Sequence, residues 1–391
     1  MMQALDLQVC VHRRFSIVSF RNLKPMLRRN LSLSKQRWKS TEEFSVLSVA
    51  RRGWDERKYC TNCIRLITII PRLLTTTSAT CTIADTPDLC SHSELFLLVV
   101  VCSAVANFKQ RAAIRDTWAS APSVTNSSNT IKVAFLLGDP DNSTLQEMVE
   151  DESLQYADII QEGFVDSYNN LTLKSVMMLK WVSNHCASVR YIMKTDDDMF
   201  VNVDNLVRLL RVRNMTNLLV GALICNARPI VDTQNKYAPR YMYPGRVYPN
   251  YLSGTGYVMS RDIVPRLYKA ALKTPLFHLE DVYLTGLCAH AAGIRPRFHP
   301  AFSYTKRKLD PCLYKDKTVV TSHHVNSSEL RKVWTQMKNP QLDCSSYTTS
   351  MAAAAQKAGA KNGKQRIIGL KRSTSKTFFF FFFKPCSYSF H

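Results

Sequence analysis

The sequence predicts an α/β protein with a single, mostly parallel sheet flanked by helices. Continuous apolar segments of strand length recur between residues 95 and 196, and β-branched residues are frequent in them. Such segments are typical of strands that are buried on both faces of a parallel sheet. Segments with helical periodicity separate these strands, and the alternation of strand with helix is the pattern of α/β folds. Residues 91–345 are enough for one such domain.

The predicted strands follow one another at intervals that leave room for connecting helices. The first is "LFLLVVVC" (95–102), and "NFKQRAAIRDTWAS" predicts the helix after it. The second, "IKVAFLLG" (131–138), ends at a glycine and the turn "DPDNS". An acidic helix and a short strand follow in "LQEMVEDESLQYADII", and "VRYIMK" predicts the next strand.

Two of the predicted helices carry specific expectations. In "VDNLVRLLRV" we expect Asp204 to be the N-cap, because a short acidic side chain can accept the first unpaired backbone N–H groups. In "NNLTLKSVMMLKWV" we expect Lys174 to lie away from the apolar face. That face consists of Leu173, Val176, Met177 and Trp181.

Basic regions flank the predicted domain. Residues 1–90 carry 15 Lys and Arg against 7 Asp and Glu, residues 351–391 carry 8 against none, and residues 91–350 carry 29 against 23. The formal net charge of +22 therefore comes mainly from the ends of the chain and is weak support for nucleic-acid binding. We expect residues 1–90 to be poorly structured and residues 346–391 to be a disordered, low-complexity tail.

Sequons and cysteines favour a secretory lumen. Five N-x-S/T sequons and an even number of cysteines, six, lie within residues 91–350. Cys102, inside an apolar strand, is equally compatible with a buried thiol. A single CxxC at Cys60 and Cys63 is weak evidence for zinc, and we see neither a transmembrane segment nor a secretory signal. The sequons begin at Asn126, Asn142, Asn170, Asn214 and Asn326, and the cysteines are 102, 186, 225, 288, 312 and 344.

Three consecutive aspartates, Asp196, Asp197 and Asp198, follow the strand "VRYIMK". Adjacent carboxylates repel one another and need a compensating partner. In open α/β sheets, ligands bind beyond the carboxyl ends of the strands. Extended geometry would put Asp196 and Asp198 on one face, where two carboxylates suit Mg²⁺ or Mn²⁺. An acidic turn that caps the next helix is the alternative.

Other charged residues have a functional and a structural interpretation. Arg111 and Arg115 follow the first strand four residues apart, so they could bind phosphate oxygens or form a solvated basic face. Glu280 and Asp281 lie in the first turn of a helix that Gly293 is expected to end, where carboxylates also stabilise the helix dipole. Lys194 could simply neutralise the aspartates.

Seven segments, in order across about residues 95–345, resemble family 31 glycosyltransferases, the β-1,3-galactosyl- and β-1,3-N-acetylglucosaminyltransferases. The resemblance implies a GT-A fold, a UDP-sugar donor, Mn²⁺ or Mg²⁺, and inversion at the anomeric carbon. It also implies a lumenal domain anchored in the Golgi membrane, although no signal-anchor is visible. Leu252 replaces a cysteine common in the family just before "SGTGY", so the disulfide pairing could differ, with Cys225 as a possible substitute. The segments are "RAAIRDTW", "FLLG", "DSYNNLTLKS", "YIMKTDDDMFVNV", "YPNYLSGTGYVMS", "LEDVYLTG" and "VWTQM".

The resemblance assigns roles to individual residues. It makes Asp281 the catalytic base, with Glu280 orienting the acceptor, while the charge on the leaving diphosphate favours Asp198 as the direct metal ligand. "SGTGYV" is interpreted as a close-approach loop on the acceptor side. The remaining assignments are Asp196 and His323 as further metal ligands, and Arg111, Arg115, Asp196 and Lys194 as donor-binding residues, with His324 beside His323 in "VVTSHHV".

The function expected from these residues is transfer of galactose from UDP-galactose to a glycan acceptor in β-1,3 linkage. The alternative is a transferase that uses UDP-N-acetylglucosamine. A catalytically silent glycan-binding protein is less favoured, because Asp198 and Asp281 are intact. A nucleic-acid binder is not expected, because that hypothesis depends on the basic ends of the chain.

Overall fold

The computed structural model describes residues 82–84, 86–90, 95–121, 124, 131–211, 215–230, 238 and 240–347. They belong to one compact unit that begins at Thr82. The expectations for residues 1–81 and 348–391, including the Cys60–Cys63 pair, and the sequons at Asn126 and Asn214 lie outside these residues. No helix in the described ranges is long and apolar enough to cross a bilayer.

The strands form one large sheet and one small one. The apolar segments that predict strands all correspond to strands of the large sheet. The bounds are β1 (Thr82–Ala84), β2 (Leu97–Cys102), β3 (Ile131–Asp139), β4 (Ile159–Val165), β5 (Tyr191–Asp196), β6 (Phe200–Val201), β7 (Leu219–Ile224), β8 (Tyr251–Ser260), β9 (Arg297–Phe298) and β10 (Thr321–Ser322).

The helices lie between these strands. Short 3₁₀ turns occur at Pro87–Cys90, Trp118–Ser120, Tyr168–Asn170 and Arg261–Ile263, and a π-helix at Val282–Cys288 precedes the short α6. The α-helices are α1 (Phe108–Asp116), α2 (Ser143–Tyr156), α3 (Leu171–His185), α4 (Val203–Arg211), α5 (Val264–Ala271), α6 (Ala289–Ala291), α7 (Pro311–Lys315) and α8 (Ser327–Lys338).

The large sheet has the order β1-β4-β3-β2-β5-β8-β7-β9. Parallel pairing joins β4, β3, β2 and β5, and it also joins β7 to β9. Within this sheet β1 and β8 run against the other strands. The prediction of a mostly parallel sheet is confirmed, and all six residues of β2 are buried, as its apolar sequence predicts.

The strand order changes direction at β2. The chain adds β3 and β4 on one side of β2, and then β5 on the other. The carboxyl ends of β2 and β5 therefore lie at a topological switch point, where open α/β sheets bind their ligands. The aspartates follow β5 at this point. The small sheet, β6 with β10, brings the segment that contains His323 to the same edge.

A buried ion pair supports the carboxyl end of β2. Lys174 donates hydrogen bonds to both carboxylate oxygens of Asp166 (2.8 and 2.9 Å) and to the carbonyl oxygen of Ser103 (2.8 Å). Asp166 in turn accepts a bond from the backbone N–H of Gly138 (3.1 Å). The prediction that Lys174 lies off the buried face is therefore wrong. A lysine can be buried when a carboxylate and a carbonyl use its donors.

The N-cap prediction for helix α4 is also wrong. The side chain of Asn202 accepts the backbone N–H of Asn205 (3.0 Å), and Asp204 is exposed in the first turn. Asn and Asp are similarly good N-caps, so propensity alone did not separate the two positions. Asn202 is held at this position because its backbone N–H donates to the carbonyl oxygen of Val320 (2.8 Å) and its side-chain amide donates to that of Tyr314 (2.9 Å).

Disulfides connect the two ends of the described domain to its interior. Cys90 pairs with Cys186, so the segment before the expected boundary at residue 91 belongs to the fold, as does β1. A second disulfide joins Cys312 to Cys344. Cys225 is disulfide-bonded as well. Cys102 and Cys288 are buried free thiols.

Candidate active site

The three consecutive aspartates at the end of β5 have different surroundings. Asp197 accepts hydrogen bonds from the hydroxyl of Ser103 (2.7 Å) and the amide of Asn107 (2.9 Å), both just beyond β2. Burial raises the pKa of Asp197, and the charges of Asp196 and Asp198 add to this effect, which the two hydrogen bonds only partly oppose. Strand β5 ends at Asp196, and Asp197 and Asp198 lie in the turn after it, so the extended geometry behind the expected alternation does not continue through all three aspartates.

Asp198 lies beside two histidines, and we call Asp198, His323 and His324 the histidine cluster. One carboxylate oxygen of Asp198 is 3.2 Å from Nε2 of His323 and 3.2 Å from Nδ1 of His324. Burial acts to raise the pKa of Asp198, but the hydrogen bond from His323 and the two imidazoles hold it below its ordinary value. Asp198 is held in place because its carbonyl oxygen accepts the N–H of Val325 (2.9 Å).

The histidine cluster has the donor set of a divalent metal site. One ligand atom from each residue can be chosen so that all three lie within 4.8 Å of one another. Nδ1 of His323 is 3.0 Å from the carbonyl oxygen of Tyr304, which can only accept, so Nδ1 carries a proton and Nε2, the nitrogen that faces Asp198, is the one that could ligate a metal. An imidazole with such a second contact is typical of metal ligands. The residues present therefore fit a divalent cation.

Two details of this cluster differ from the expected ligand set. Asp196 is not in the cluster, because its carboxylate binds Lys194 instead (2.7 Å). His324 does belong to it, although the assignment of ligands included only His323. The two imidazoles stack with their centroids 3.6 Å apart. Their adjacency in "VVTSHHV" was the signal in the sequence, but the φ of +56° that turns His324 toward Asp198 was not predictable from it.

Lys194 connects the aspartates to the second acidic segment, which consists of Glu280 and Asp281. Its ammonium group contacts Asp196 (2.7 Å), the carbonyl oxygen of Gly254 (2.6 Å) and Glu280 (3.5 Å). Burial lowers the pKa of Lys194, but the charges of Asp196 and Glu280 outweigh this and hold it well above its ordinary value. Lys194 is 3% exposed. Its three donors are already used, so the prediction that Lys194 binds the donor is not supported.

Glu280 is a buried structural partner. One carboxylate oxygen accepts the hydroxyl of Tyr257 (2.8 Å), and the other faces Lys194. Burial raises the pKa of Glu280; Lys194 and the Tyr257 hydrogen bond oppose the rise, while Asp281 adds to it. Because both oxygens are engaged by Tyr257 and Lys194, Glu280 has no unused carboxylate oxygen with which to orient an acceptor as expected.

Asp281 is the more accessible carboxylate of this segment. It lies at the N-terminal end of the π-helix, where its side chain accepts the N–H of Val282 (2.8 Å). Its other oxygen is 3.4 Å from the backbone nitrogen of Gly254. The helical segment ends at Gly293, whose φ of +66° confirms the expected glycine stop. Asp281 is thus half-buried and lies near the contacts that Lys194 makes with Asp196, Gly254 and Glu280.

The glycine-rich segment belongs to strand β8 instead of a loop. Gly254 packs against the second acidic segment, and a Cβ atom there would lie 2.8 Å from a carboxylate oxygen of Glu280. The expectation of close approach is correct in this sense. A larger residue would separate Lys194, Glu280 and Asp281 from one another.

Arg111 is fully buried and cannot reach a UDP-sugar donor. It is 0% exposed, and its guanidinium forms an ion pair with Glu152 (2.6 Å). The remaining N–H groups donate to Ser103 and to the carbonyl oxygens of Ala104 and Val105 (2.8–3.2 Å). The prediction that Arg111 contacts the nucleotide is wrong, because every N–H group of its guanidinium is already bound within the protein. Through Ser103, Arg111 supports Asp197.

Arg115 has the same structural character. It binds Glu152 (2.7 Å) and forms a two-point contact with Asp158 (both 2.8 Å). Its guanidinium also lies over the ring of Tyr156, 4.0 Å from the centroid. Burial acts to lower the pKa of Arg115, but Asp158 and Glu152 outweigh it and raise the pKa. These contacts give Arg115 structural partners, and the expectation that it binds the UDP-sugar donor stays a prediction.

The fold and the site together define a class of protein. An α/β sheet with carboxylates and an imidazole pair at its switch point is typical of a protein that binds its ligand at this edge of the sheet. The pattern of the family described as Galactosyltransferase matches residues 109–300.

Curated relatives extend the match. The chain is 40% identical over 259 residues to beta-1,3-galactosyltransferase 1 of Mus musculus, which covers 65% of this chain and 77% of the relative. It is 35% identical over 270 residues to lactosylceramide 1,3-N-acetyl-beta-D-glucosaminyltransferase A of Danio rerio, covering 66% of this chain and 70% of the relative. The chain belongs to glycosyltransferase family 31 and is a glycosyltransferase with the GT-A fold.

A solved structure of galactosyltransferase LgtC in complex with donor and acceptor sugar analogs also aligns with the chain. The identity is 13%, the alignment covers 61% of this chain and 95% of the other, and the TM-score is 0.34. A likeness at that level supports no conclusion about substrate or mechanism.

Proposed function

We propose that the protein is a metal-dependent, inverting β-1,3-galactosyltransferase that moves galactose from UDP-galactose to a glycan acceptor. The observation that carries the proposal is the convergence of two acidic segments on Lys194, at the switch point of the sheet. The first segment leads to the histidine cluster and the second to Asp281, so a metal-binding group and a candidate base occur together. The 40% identity to a galactosyltransferase, against 35% to an N-acetylglucosaminyltransferase, favours galactose.

Asp281 is the residue suited to act as the base. In an inverting transfer, the acceptor hydroxyl oxygen forms a bond to the anomeric carbon while the bond from that carbon to the UDP oxygen breaks. The proton of the acceptor hydroxyl goes to the carboxylate of Asp281. Asp281 fits this role better than Glu280, because Glu280 is buried and both its oxygens are engaged.

The histidine cluster is suited to hold the cation. Asp198 and the imidazoles of His323 and His324 would provide its protein ligands. A bound divalent cation supplies charge compensation for the diphosphate that leaves. Asp197 and Asp196 are already bound by protein groups, so they shape the site from beneath instead of completing the ligand set.

We also propose that the domain works in the lumen of the secretory pathway, at the Golgi membrane. The disulfides Cys90–Cys186 and Cys312–Cys344 are expected in an oxidising compartment. The sequon residues Asn142 and Asn326 are exposed, and each uses its side-chain oxygen to cap a helix. That contact leaves the amide nitrogen available for a glycan.

Transfer assays with purified protein test the proposal. The protein is incubated with UDP-galactose or UDP-N-acetylglucosamine, a panel of p-nitrophenyl β-glycosides, and either Mn²⁺ or EDTA. We expect galactose transfer in Mn²⁺ and none in EDTA. Transfer of N-acetylglucosamine alone would replace the donor assignment, and transfer in EDTA would remove the metal from the proposal. No transfer from either donor to any acceptor would overturn the proposed function.

A further inference from the structure

A group of aromatic side chains lies beside Asp281 and has no role in the chemistry described above. Tyr248 is at its centre, with ring centroids 4.7 Å from Tyr243, 5.8 Å from Phe277 and 6.3 Å from Tyr251. Tyr248 precedes strand β8, whereas Phe277 lies just before the second acidic segment. The group therefore bridges the two pieces of chain that provide Gly254 and Asp281.

The backbone beside these rings is fixed to the π-helix. The hydroxyl of Thr285 accepts the N–H of Leu252 (2.8 Å) and donates to the carbonyl oxygen of Asp281 (2.6 Å). A Cβ atom at Gly286 would lie 3.2 Å from that of Tyr251, so the helix and the start of β8 are in direct contact. These contacts hold the aromatic group against the helix that carries Asp281.

Tyr248 is polar, buried and unsatisfied. The residue is 5% exposed, and its hydroxyl has no hydrogen-bond partner among the described residues. Buried polar atoms in folded proteins are almost always paired, so such a hydroxyl needs an explanation. Burial raises the pKa of Tyr248, with the phenol of Tyr243 and the charge of Asp281 adding to it, so the hydroxyl stays protonated. It is available as a donor and as an acceptor.

The charge of the surroundings limits the chemistry of the missing partner. Asp281 also raises the pKa values of Tyr168 and Tyr251, in each case after burial as the larger cause, so several phenols share the field of one carboxylate. A diphosphate would be repelled there, whereas a neutral polyhydroxy ligand would not. Aromatic rings with polar tips suit a ligand that has both apolar faces and hydroxyl groups, which is the character of a sugar.

We propose that the buried hydroxyl of Tyr248 binds a hydroxyl of the acceptor sugar, and that the aromatic group of Tyr248, Tyr251 and Phe277 forms the acceptor subsite beside Asp281. The inference rests on the proposed function, because it needs a transfer reaction in which Asp281 faces the acceptor. It names Tyr248 as a residue that determines acceptor affinity, separate from the donor and metal residues.

The test compares Tyr248→Phe with Tyr243→Phe. Both changes remove one phenol hydroxyl and keep the ring, but the hydroxyl of Tyr243 already donates to the carbonyl oxygen of Val247 (2.8 Å). The probe is the p-nitrophenyl β-glycoside that wild-type protein uses best. For Tyr248→Phe we expect kcat/KM for that acceptor to fall about tenfold, the order expected for one hydrogen bond, mainly through KM. UDP affinity, measured by calorimetry with Mn²⁺, should not change.

Other results would separate the inference from the proposed function. If Tyr248→Phe and Tyr243→Phe both retain wild-type acceptor kinetics, the Tyr248 assignment is overturned while the transferase proposal stands. An equal loss of UDP affinity in Tyr248→Phe would show a general disturbance and also overturn it. A deoxy acceptor that the wild type and Tyr248→Phe use equally well would identify the bonded hydroxyl. A wild-type protein without any transfer would remove both proposals.

Discussion

Two charged clusters near the carboxyl end of the parallel strands differ in what surrounds them. The arginine cluster consists of Arg111, Arg115, Glu152 and Asp158, and the histidine cluster of Asp198, His323 and His324. In the first, Arg111 is fully buried and every N–H of its guanidinium is bound. In the second, the side chain of Asp198 is 37% exposed and that of His324 is 68% exposed.

The difference teaches that exposure and unused bonding capacity separate chemical from structural charges. Both clusters lie close to the switch point; Arg111 and Arg115 were candidates for donor binding, and Asp198 and His323 were candidates for metal binding. In the arginine cluster every N–H of Arg111 is bound, and the ion pairs of Arg111 and Arg115 with Glu152 connect α1 to α2. In the histidine cluster one possible ligand atom from each residue lies within 4.8 Å of the others, and Asp198 and His324 are accessible to a ligand. The predictions below test whether this division holds, from the largest expected effect to the smallest.

The first prediction concerns the histidine cluster. Asp198→Asn keeps the shape of the side chain but removes the charge, and it should abolish turnover and the Mn²⁺-dependent part of UDP binding. The melting temperature should change little, because the carboxylate is partly exposed. Calorimetry with and without Mn²⁺ and a galactose-transfer assay measure both effects. Asp204→Asn, an exposed aspartate on α4, is the matched control. Normal turnover of Asp198→Asn would contradict the assignment.

The second prediction concerns Asp281. Asp281→Asn should lower kcat by about 10²–10⁴-fold, the range for a positioned general base, with nearly normal UDP-sugar affinity. Asp310→Asn is the control, because Asp310 also accepts backbone N–H groups at the start of a helix. If both variants have the same kcat as the wild type, Asp281 is only a helix-terminal charge.

The third prediction concerns the arginine cluster. Arg111→Met should lower the free energy of unfolding by about 3–5 kcal/mol, because it leaves Glu152 buried without one of its partners. Arg331→Met is the matched control: Arg331 pairs with Asp116 at 2.7 Å, but both side chains are exposed. We expect it to cost about 0–1 kcal/mol. Urea unfolding measures both values. A stable Arg111→Met variant that has lost UDP binding would reverse the comparison.

The fourth prediction is a pH effect of the same cluster. Burial acts to raise the pKa of Glu152, but hydrogen bonds from Arg111 and Arg115 outweigh it and hold the pKa below the ordinary 4.5. A carboxylate with a lowered pKa in the folded state contributes stability above pH 4.5, and this is lost as pH falls through the folded pKa. The difference in unfolding free energy between wild type and Glu152→Gln should therefore be constant near neutral pH and narrow below pH 4.5. A difference that widens in acid would show that the pairing is not stabilising.

Much of the frame was predictable from sequence patterns. The buried strand β2 is an unbroken apolar run, and Gly293 ends its helix with a positive φ. The position of the aspartates after β5 and of Glu280 and Asp281 at a helix start also followed from the pattern. The N-cap of α4 and the burial of Lys174 were not predictable in this way. The first depends on a contact with Val320, which lies beside β10 and is distant in the chain, and the second on Asp166, which lies outside the helix that carries Lys174.

The sequence by itself determined the family, the order of strands and helices from β2 to β5, and the residue types that the chemistry uses. Those properties depend on local periodicity and on short ordered motifs, which neighbouring residues specify. The tertiary structure decided which charged groups are buried with all their bonds made inside the protein and which are exposed to a ligand. Arg111 and Asp198 are both polar residues next to strand ends, yet one is enclosed by α2 and the other faces a pair of histidines from 125 residues further along the chain. Burial and bond satisfaction are properties of the packed chain, because they arise from partners that only the fold brings together.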